Sequence, residues 1–231
     1  TATLATHHLI DDVRARYQSQ TAVLEYLEAL EADVISHADD FRKGKEGETP
    51  QPALTPPPWA SSERLFSRYE VNVLVDNQDL KGAPVVVETN PTYHNLIGRI
   101  EHQATWGGFI TDHTMIKPGA LHRANGGYLI IPARECLLSP FSWEGLKRAL
   151  KDRALKIEEL GTQLSLISAV TLTPESVPLN VKAVLIGNPM LYYLLYAYDE
   201  DFQKLFKVKA EFTTRMDRTP DSERAYACFV S

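Results

Sequence analysis

The chain has 231 residues, of which 44% are hydrophobic and 23% charged, a composition typical of folded globular proteins. Its net charge of −6 argues against nucleic acid as the main partner, because phosphate binding needs a basic surface. No apolar run approaches the roughly 20 residues that cross a bilayer, and the two cysteines do not indicate a disulfide framework. We therefore expect a cytoplasmic protein with no membrane partner.

The first part of the chain has a helical pattern. From Leu9 to Arg42, apolar residues recur at steps of three and four, and no glycine or proline interrupts them. A break near Ser19 and Gln20 would divide the segment into two antiparallel helices. We interpret residues 1–43 as a helical arm. Residues 44–61 carry five prolines and predict a flexible linker, so residues 62–231 form the predicted second domain.

Short apolar runs and helical patterns alternate in this second domain. The runs Tyr69–Val75 and Pro84–Glu88 predict strands, and the segment from Tyr93 to Ala104 predicts a helix. The run Tyr128–Ile131 follows two glycines and predicts a fully buried strand of a parallel sheet.

The second half of the domain continues this alternation. Ser139 is the predicted N-cap of a helix that runs to Arg153. The remaining predicted elements are a hairpin with arms Leu155–Glu158 and Ala169–Leu172, a strand Val181–Gly187, a helix Met190–Tyr198, a strand Phe206–Phe212 and a helix from Pro220.

This order predicts an α/β fold with a mainly parallel sheet. Ligands of such sheets bind at the carboxyl ends of the strands. The residues expected at that edge are Pro132, Ala133, Arg134 and Glu135 after one strand and Asn188 after another. The chain has no acidic pair at Pro132 and Ala133, where a nucleotide-hydrolysing protein needs carboxylates for magnesium and water.

Three stretches together resemble a known family. They are NPTYHNLIGRIE (90–101), TDHTMIKPGALHRANGGYLII (111–131) and VPLNVKAVLIGNPMLYYLL (177–195). They resemble the AAA+ module of bacterial Lon-like ATP-dependent proteases of the LonB and LonC types, which carry a helical insertion. The resemblance covers roughly Arg68 to Arg218. It implies an AAA+-like parallel sheet core flanked by helices, with the arm in the insertion and a presensor β-hairpin at residues 155–172.

The resemblance also implies roles at the nucleotide site. Pro132 and Ala133 occupy the Walker B positions where active members have an Asp and usually a Glu. Arg134 and Glu135 come one step too late, and Asn188 matches the sensor 1 position. ATP and Mg²⁺ are the family's expected cofactors, but the resemblance implies weak or absent binding and hydrolysis in this chain.

Further roles concern the substrate and neighbouring subunits. The residues Trp106, Gly107, Gly108 and Phe109 match a pore loop that grips unfolded polypeptide. The possible substitutes for an arginine finger are Lys204, Arg215 and Arg218. The implied partners are unfolded polypeptides and further copies of the chain in a ring, a hexamer in the full protein.

Two parts of a Lon-type protease are missing from the sequence. It contains no G-x-x-x-x-G-K-[ST] phosphate loop, which we expect before Thr1, and no Ser-Lys protease domain, which we expect after Ser231. We expect no catalytic residue within the chain and no metal site, since its histidines lack zinc-ligand spacing. The alternatives are an assembly scaffold of AAA+ fold and a nucleic-acid-binding AAA+ relative.

Overall fold

The computed structural model describes residues 2–38, 67–105, 108–158, 172–213 and 215–230. Contacts divide the chain into two compact units, Thr1–Val73 and Leu74–Ser231. The predicted linker, 44–61, lies outside the described residues, and the predicted domain boundaries stay predictions. The described helices and strands are α1 (Ala2–Arg16), α2 (Thr21–Ser36), β1 (Val85–Val87), α3 (Tyr93–Ile97), β2 (Gly98–Ile100), β3 (Gln103–Thr105), β4 (Gly108–Ile110), β5 (Ile116–Pro118), α4 (Ala120–Arg123), β6 (Tyr128–Pro132), α5 (Ala133–Leu138), α6 (Ser142–Asp152), β7 (Ala154–Leu155), β8 (Val177–Pro178), β9 (Lys182–Ile186), α7 (Pro189–Tyr198), α8 (Glu200–Leu205) and α9 (Pro220–Val230).

The first unit contains the helix pair α1 and α2, separated at residues 17–20. Glu31 of α2 accepts hydrogen bonds of 2.8 Å from both His7 and Arg14 of α1. These contacts, with His7 the larger cause, hold the pKa of Glu31 below its usual value. Ile10 of α1 and Leu27 of α2 are buried apolar side chains. The helical arm predicted from the sequence is therefore present as far as residue 38.

The second unit is built on a parallel sheet with the strand order β1-β6-β9. The central strand β6 pairs with both neighbours, so that Ile130 lies between Val87 and Val184. Leu129 and Ile131 of β6 are completely buried. The predicted α/β fold is confirmed, but the strand predicted to be fully buried is buried only at alternate positions, since Tyr128 is 40% exposed.

The helices of this unit cover one face of the sheet. Leu129 and Ile131 pack in a single core with Leu96 of α3, Leu121 of α4 and Leu146 of α6. The strand order explains why these helices share one face. The connections from β1 to β6 and from β6 to β9 both step across the sheet in the same direction. Right-handed crossovers in one direction place their helices on the same side of a sheet.

Two elements predicted between residues 69 and 104 are wrong. Residues 70–75 form no regular strand, and the side chains of Val71 and Val73 are exposed. The helix that begins at Tyr93 ends at Ile97 rather than at Ala104. It ends there because Gly98 adopts a left-handed φ of 99° and starts β2, which pairs antiparallel with β5.

The segment after β6 also differs from the prediction. Helix α5 follows the strand directly, so Ser139 lies at a helix C-terminus and does not cap the next helix. Helix α6 begins at Ser142, after Phe141 at a φ of 63°.

Among the described residues, the predicted presensor hairpin is represented by the short antiparallel pair β7 and β8. Its second strand, Val177–Pro178, comes later in the chain than the predicted arm Ala169–Leu172. Residues 159–171 lie outside the described residues. Helix α8 ends at Leu205. Residues 206–212, which were predicted to form a strand, follow it and have no regular structure.

Candidate functional site

The carboxyl ends of β1, β6 and β9 lie side by side at one edge of the sheet. Pro132, the last residue of β6, is paired with Ile186, the last residue of β9. The backbone N–H of Glu88, directly after β1, donates to the carbonyl of Ile130 at 2.9 Å. This register places the predicted groups after β6 and β9 at a common edge, where ligands of parallel sheets bind.

The residues after β6 pass directly into helix α5. Pro132 is the N-cap of this helix, and its side chain makes no capping hydrogen bond. Ala133 is only 5% exposed, and a Cβ added at Gly187 would lie 3.4 Å from its methyl group. Position 133 is therefore packed against the turn that follows β9. The Arg134 and Glu135 side chains are more exposed, and their charged atoms lie 3.8 Å apart.

Asn188 has a defined structural task after β9. Its side-chain oxygen accepts a 2.8 Å hydrogen bond from the backbone N–H of Leu191. Pro189 occupies the start of the helix, so Asn188 is the N-cap of α7. The sensor role implied by the resemblance stays a prediction.

Glu88 is a carboxylate at this edge that was not predicted from the sequence as a site residue. Its Oε2 accepts a 3.1 Å hydrogen bond from Arg123, and its Oε1 accepts one of 3.0 Å from the N–H of Asn90. The side chain is 15% exposed. The sequence signal for Glu88 is its position directly after the apolar strand β1, because ligands of parallel sheets bind at the carboxyl ends of the strands.

These residues do not fit a magnesium–nucleotide site. Magnesium prefers carboxylate oxygens together with water and phosphate, and Pro132 and Ala133 offer no such side chain. Glu88 is engaged by Arg123 and by the backbone of Asn90. Among the described parts of the chain, no group of three acidic, histidine or cysteine side chains could hold a metal ion.

The second half of the predicted pore loop lies in strand β4. Strands β3 and β4 pair antiparallel, with Ala104 opposite Phe109 and Thr105 opposite Gly108. Trp106 and Gly107 lie between these strands and outside the described residues. At the base of the hairpin, the Thr111 hydroxyl donates to the carbonyl of Glu101 at 2.9 Å. Gly108 and Phe109 are thus placed in strand β4, which pairs with β3.

The three possible arginine-finger substitutes lie late in the unit. Lys204 of α8 has its ammonium 3.8 Å from the Asp201 carboxylate, and its side chain is 70% exposed. The Arg218 Nε atom lies 2.6 Å from the Oε1 atom of Glu223. Arg215 is exposed in a segment without regular structure. The structure therefore gives Lys204 and Arg218 local acidic partners, and their role at a subunit interface stays a prediction.

A partly buried ionic cluster joins helix α6 to the junction between helices α7 and α8. The Asp199 carboxylate accepts hydrogen bonds from the Trp143 indole at 2.7 Å and from Lys147 at 2.9 Å. Its other oxygen caps α8 through the N–H groups of Asp201 and Phe202. Burial alone would raise the pKa of Asp199, but the hydrogen bonds from Lys147 and Trp143 hold it below its ordinary value. The cluster ties α6 to the α7–α8 junction.

Comparison with known proteins gives one family match. A family model described as LonB-like, AAA domain, matches residues 81–213, which include the sheet, its carboxyl edge and the β3–β4 hairpin. No curated protein matches the chain.

Among solved structures, the chain is similar to NtrX from Brucella abortus. The two are 15% identical, with a TM-score of 0.31, and the alignment covers 81% of this chain. A similarity at this level carries no argument about function. The chain spans 42% of the length of that structure. In the parts of the chain that the structure describes, no helix is long and apolar enough to cross a membrane.

Proposed function

Since this chain belongs to the LonB-like AAA domain family, we propose that it is the substrate-handling AAA+ part of a Lon-type ATP-dependent serine protease. The chain is a module of the AAA+ ATPase type, which the family match over residues 81–213 establishes. The observation that carries the finer proposal is the antiparallel pairing of β3 and β4, which places Phe109 in a strand directly after the sequence Trp106-Gly107-Gly108.

The proposed substrates are unfolded polypeptides. An aromatic side chain on a short hairpin offers a large apolar surface that binds many sequences without reading one in particular. Glycines beside it permit backbone conformations that other residues rarely adopt. In the proposed ring, several such hairpins would surround one passing chain and deliver it to a Ser-Lys protease chamber.

The proposed nucleotide site of this chain is degenerate. A Walker B strand that ends in Pro132 and Ala133 supplies no carboxylate for Mg²⁺ or for the attacking water. The neighbouring Glu88 is held by Arg123. We therefore expect polypeptide binding by this chain to be independent of ATP, and we expect the isolated chain to have no peptidase activity.

The test is binding of an unfolded polypeptide, with fluorescein-labelled casein as the probe. The variants Trp106→Ala and Phe109→Ala should each weaken binding at least tenfold, as expected for the loss of an aromatic anchor. The control is Tyr198→Ala, because Tyr198 is an aromatic residue that is 85% exposed at the end of α7. Equal binding by all four proteins would contradict the proposal and favour an assembly scaffold.

A further inference from the structure

Strand β1 leaves one edge of its backbone unpaired. The sheet order β1-β6-β9 gives β1 a single neighbour among the described strands. On the side of β6, the Pro84 carbonyl accepts a hydrogen bond of 2.8 Å and the N–H of Glu88 donates one of 2.9 Å. Alternate residues of a strand face the same neighbour, so the N–H and C=O groups of Val85 and Val87 point away from β6. Among the described residues, these four backbone groups have no hydrogen-bond partner.

The outer edge of β1 also lacks the features that usually keep a sheet edge from pairing. Natural edges are protected by charged side chains, by prolines or by bulges. All three residues of β1 are valine, which favours extended backbone. Pro84 does not protect this edge, because its hydrogen bond to Tyr128 turns it toward β6. An extended peptide supplies the N–H and C=O groups that such an edge requires, at the same spacing of two residues.

A cavity lies beside this edge, between β1 and the segment that precedes it. Its volume is about 320 Å³, at the lower end of the range for ligand pockets. Val86 lines the cavity and packs against the helix-covered core, so the cavity is on the helix side of the sheet. Its other apolar lining residues include Leu74, Val75 and Leu80. The cavity therefore accepts an apolar side chain from a peptide that pairs with the outer edge of β1.

The uncompensated charge of the cavity wall is negative. Asp76 and Arg123 are its charged lining residues. The Arg123 guanidinium lies 3.1 Å from the Glu88 carboxylate, so its charge is compensated. Asp76 accepts a 3.0 Å hydrogen bond from the N–H of Gln78, and no basic side chain among the described residues pairs with it. A lysine or arginine beside the apolar side chain of an occupant would therefore be attracted to Asp76.

We propose that the outer edge of β1 is a docking site for an extended polypeptide segment, which adds a strand to the sheet. The segment pairs with Val85 and Val87, inserts an apolar side chain into the cavity and brings a basic side chain to Asp76. Main-chain pairing supplies the affinity, and the cavity with its carboxylate supplies the preference for a sequence. Strands β3 and β4 of the proposed pore loop form a separate sheet. The inference therefore goes beyond the proposed function and does not depend on it.

The test is selection of a random dodecapeptide display library on the 231-residue chain, with counter-selection on Val87→Pro. Proline at position 87 removes an N–H group that points away from β6, so the pairing of β1 with β6 is retained. The expected peptides carry an apolar residue next to a lysine or arginine. Their fluorescein-labelled forms should bind Val87→Pro at least tenfold more weakly than the parent chain. The matched control is Val87→Ala, which keeps the N–H group and should bind within twofold of the parent chain.

Two further variants test the cavity and its charge. Leu80→Lys introduces a like charge for the basic peptides and removes an apolar contact, so it should weaken their binding at least tenfold. Leu80 is 51% exposed, and the control Leu138→Lys makes the same substitution at a side chain that is 66% exposed at the end of α5. This control should bind within twofold of the parent chain. Asp76→Asn retains an acceptor for the N–H of Gln78 but removes the charge, and it should weaken binding at least threefold.

The variant Trp106→Ala separates this inference from the proposed function. The selected peptides should bind it within twofold of the parent chain, whatever the result with casein. A loss of peptide binding confined to Trp106→Ala would overturn the inference and support the proposed pore loop. Selection that yields no peptide able to distinguish the parent chain from Val87→Pro would also overturn it, as would peptides that prefer acidic residues. If circular dichroism shows that Val87→Pro does not fold, the comparison of Leu80→Lys with Leu138→Lys decides in its place.

Discussion

Gly127 is the position at which a single methyl group should most disturb the sheet. A Cβ added there would overlap the carbonyl oxygen of Pro84 and would lie 2.8 Å from its nitrogen and 2.9 Å from its carbonyl carbon. These are backbone atoms at the start of β1, and the same carbonyl accepts a 2.8 Å hydrogen bond from Tyr128. Gly127→Ala must therefore push β1 away from β6.

The expected cost follows from the kind of contact. Overpacking a well-packed site costs about 1 to 3 kcal/mol, and the overlap here involves backbone that cannot rotate away. We expect Gly127→Ala to lower the free energy of unfolding by about 3 kcal/mol or more. Gly126→Ala is the first control, since its Cβ meets nothing within 4 Å but its φ of 84° is strained for alanine. It should cost about 1 to 2 kcal/mol.

Gly82→Ala completes the series. Its Cβ also meets nothing within 4 Å, and its φ lies outside the left-handed region. Alanine there should leave stability unchanged or raise it by up to about 1 kcal/mol, since it restricts the unfolded chain. The assay is urea unfolding of all four proteins, followed by circular dichroism. If Gly127→Ala lies within about 0.5 kcal/mol of Gly126→Ala, the close approach of β1 to β6 is refuted.

Three further predictions concern other parts of the second unit. Asp199→Asn should lower the free energy of unfolding by about 2 kcal/mol, because the acceptor of the hydrogen bonds from Trp143 and Lys147 loses its charge. Thermal unfolding measures this, and the more exposed Asp201→Asn should cost under about 0.5 kcal/mol in the same assay. Burial lowers the pKa of His122 to about 4. Between pH 6.5 and pH 4, His122 is therefore protonated in the unfolded chain and neutral in the folded chain. Stability should fall by up to about 3 kcal/mol between pH 6.5 and pH 4, and urea titrations should show that His122→Gln flattens this slope. Asn188→Ala should cost about 1 kcal/mol through loss of the α7 cap, whereas an unchanged melting temperature would contradict the capping role.

The sequence predicted the elements whose signals are local. The strand at Tyr128–Ile131 and the helix at Met190–Tyr198 were predicted within a residue or two of β6 and α7. Their apolar content and flanking glycine, asparagine and proline residues are short-range features. The carboxyl edge was predictable for the same reason, because it needs only the ends of the parallel strands.

The errors arose where tertiary contacts decide the structure. The alternation in Tyr69–Val75 is typical of a strand, but a strand needs a partner, and the exposed Val71 and Val73 pair with no strand among the described residues. The helix from Tyr93 ended early because β2 must pair with β5. The engagement of Glu88 by Arg123 joins residues 35 positions apart, and no local pattern reveals such a pair.

The central claim is that this AAA+ module has a nucleotide site without working Walker B carboxylates. Isothermal titration calorimetry of the chain with ATP and with ADP, each with and without Mg²⁺, tests it most directly. The account predicts no binding that depends on Mg²⁺ and no release of phosphate from ATP. Magnesium-dependent binding accompanied by hydrolysis would contradict it, because another carboxylate, such as Glu88 or Glu135, would then have to serve in place of the residues lost at Pro132 and Ala133.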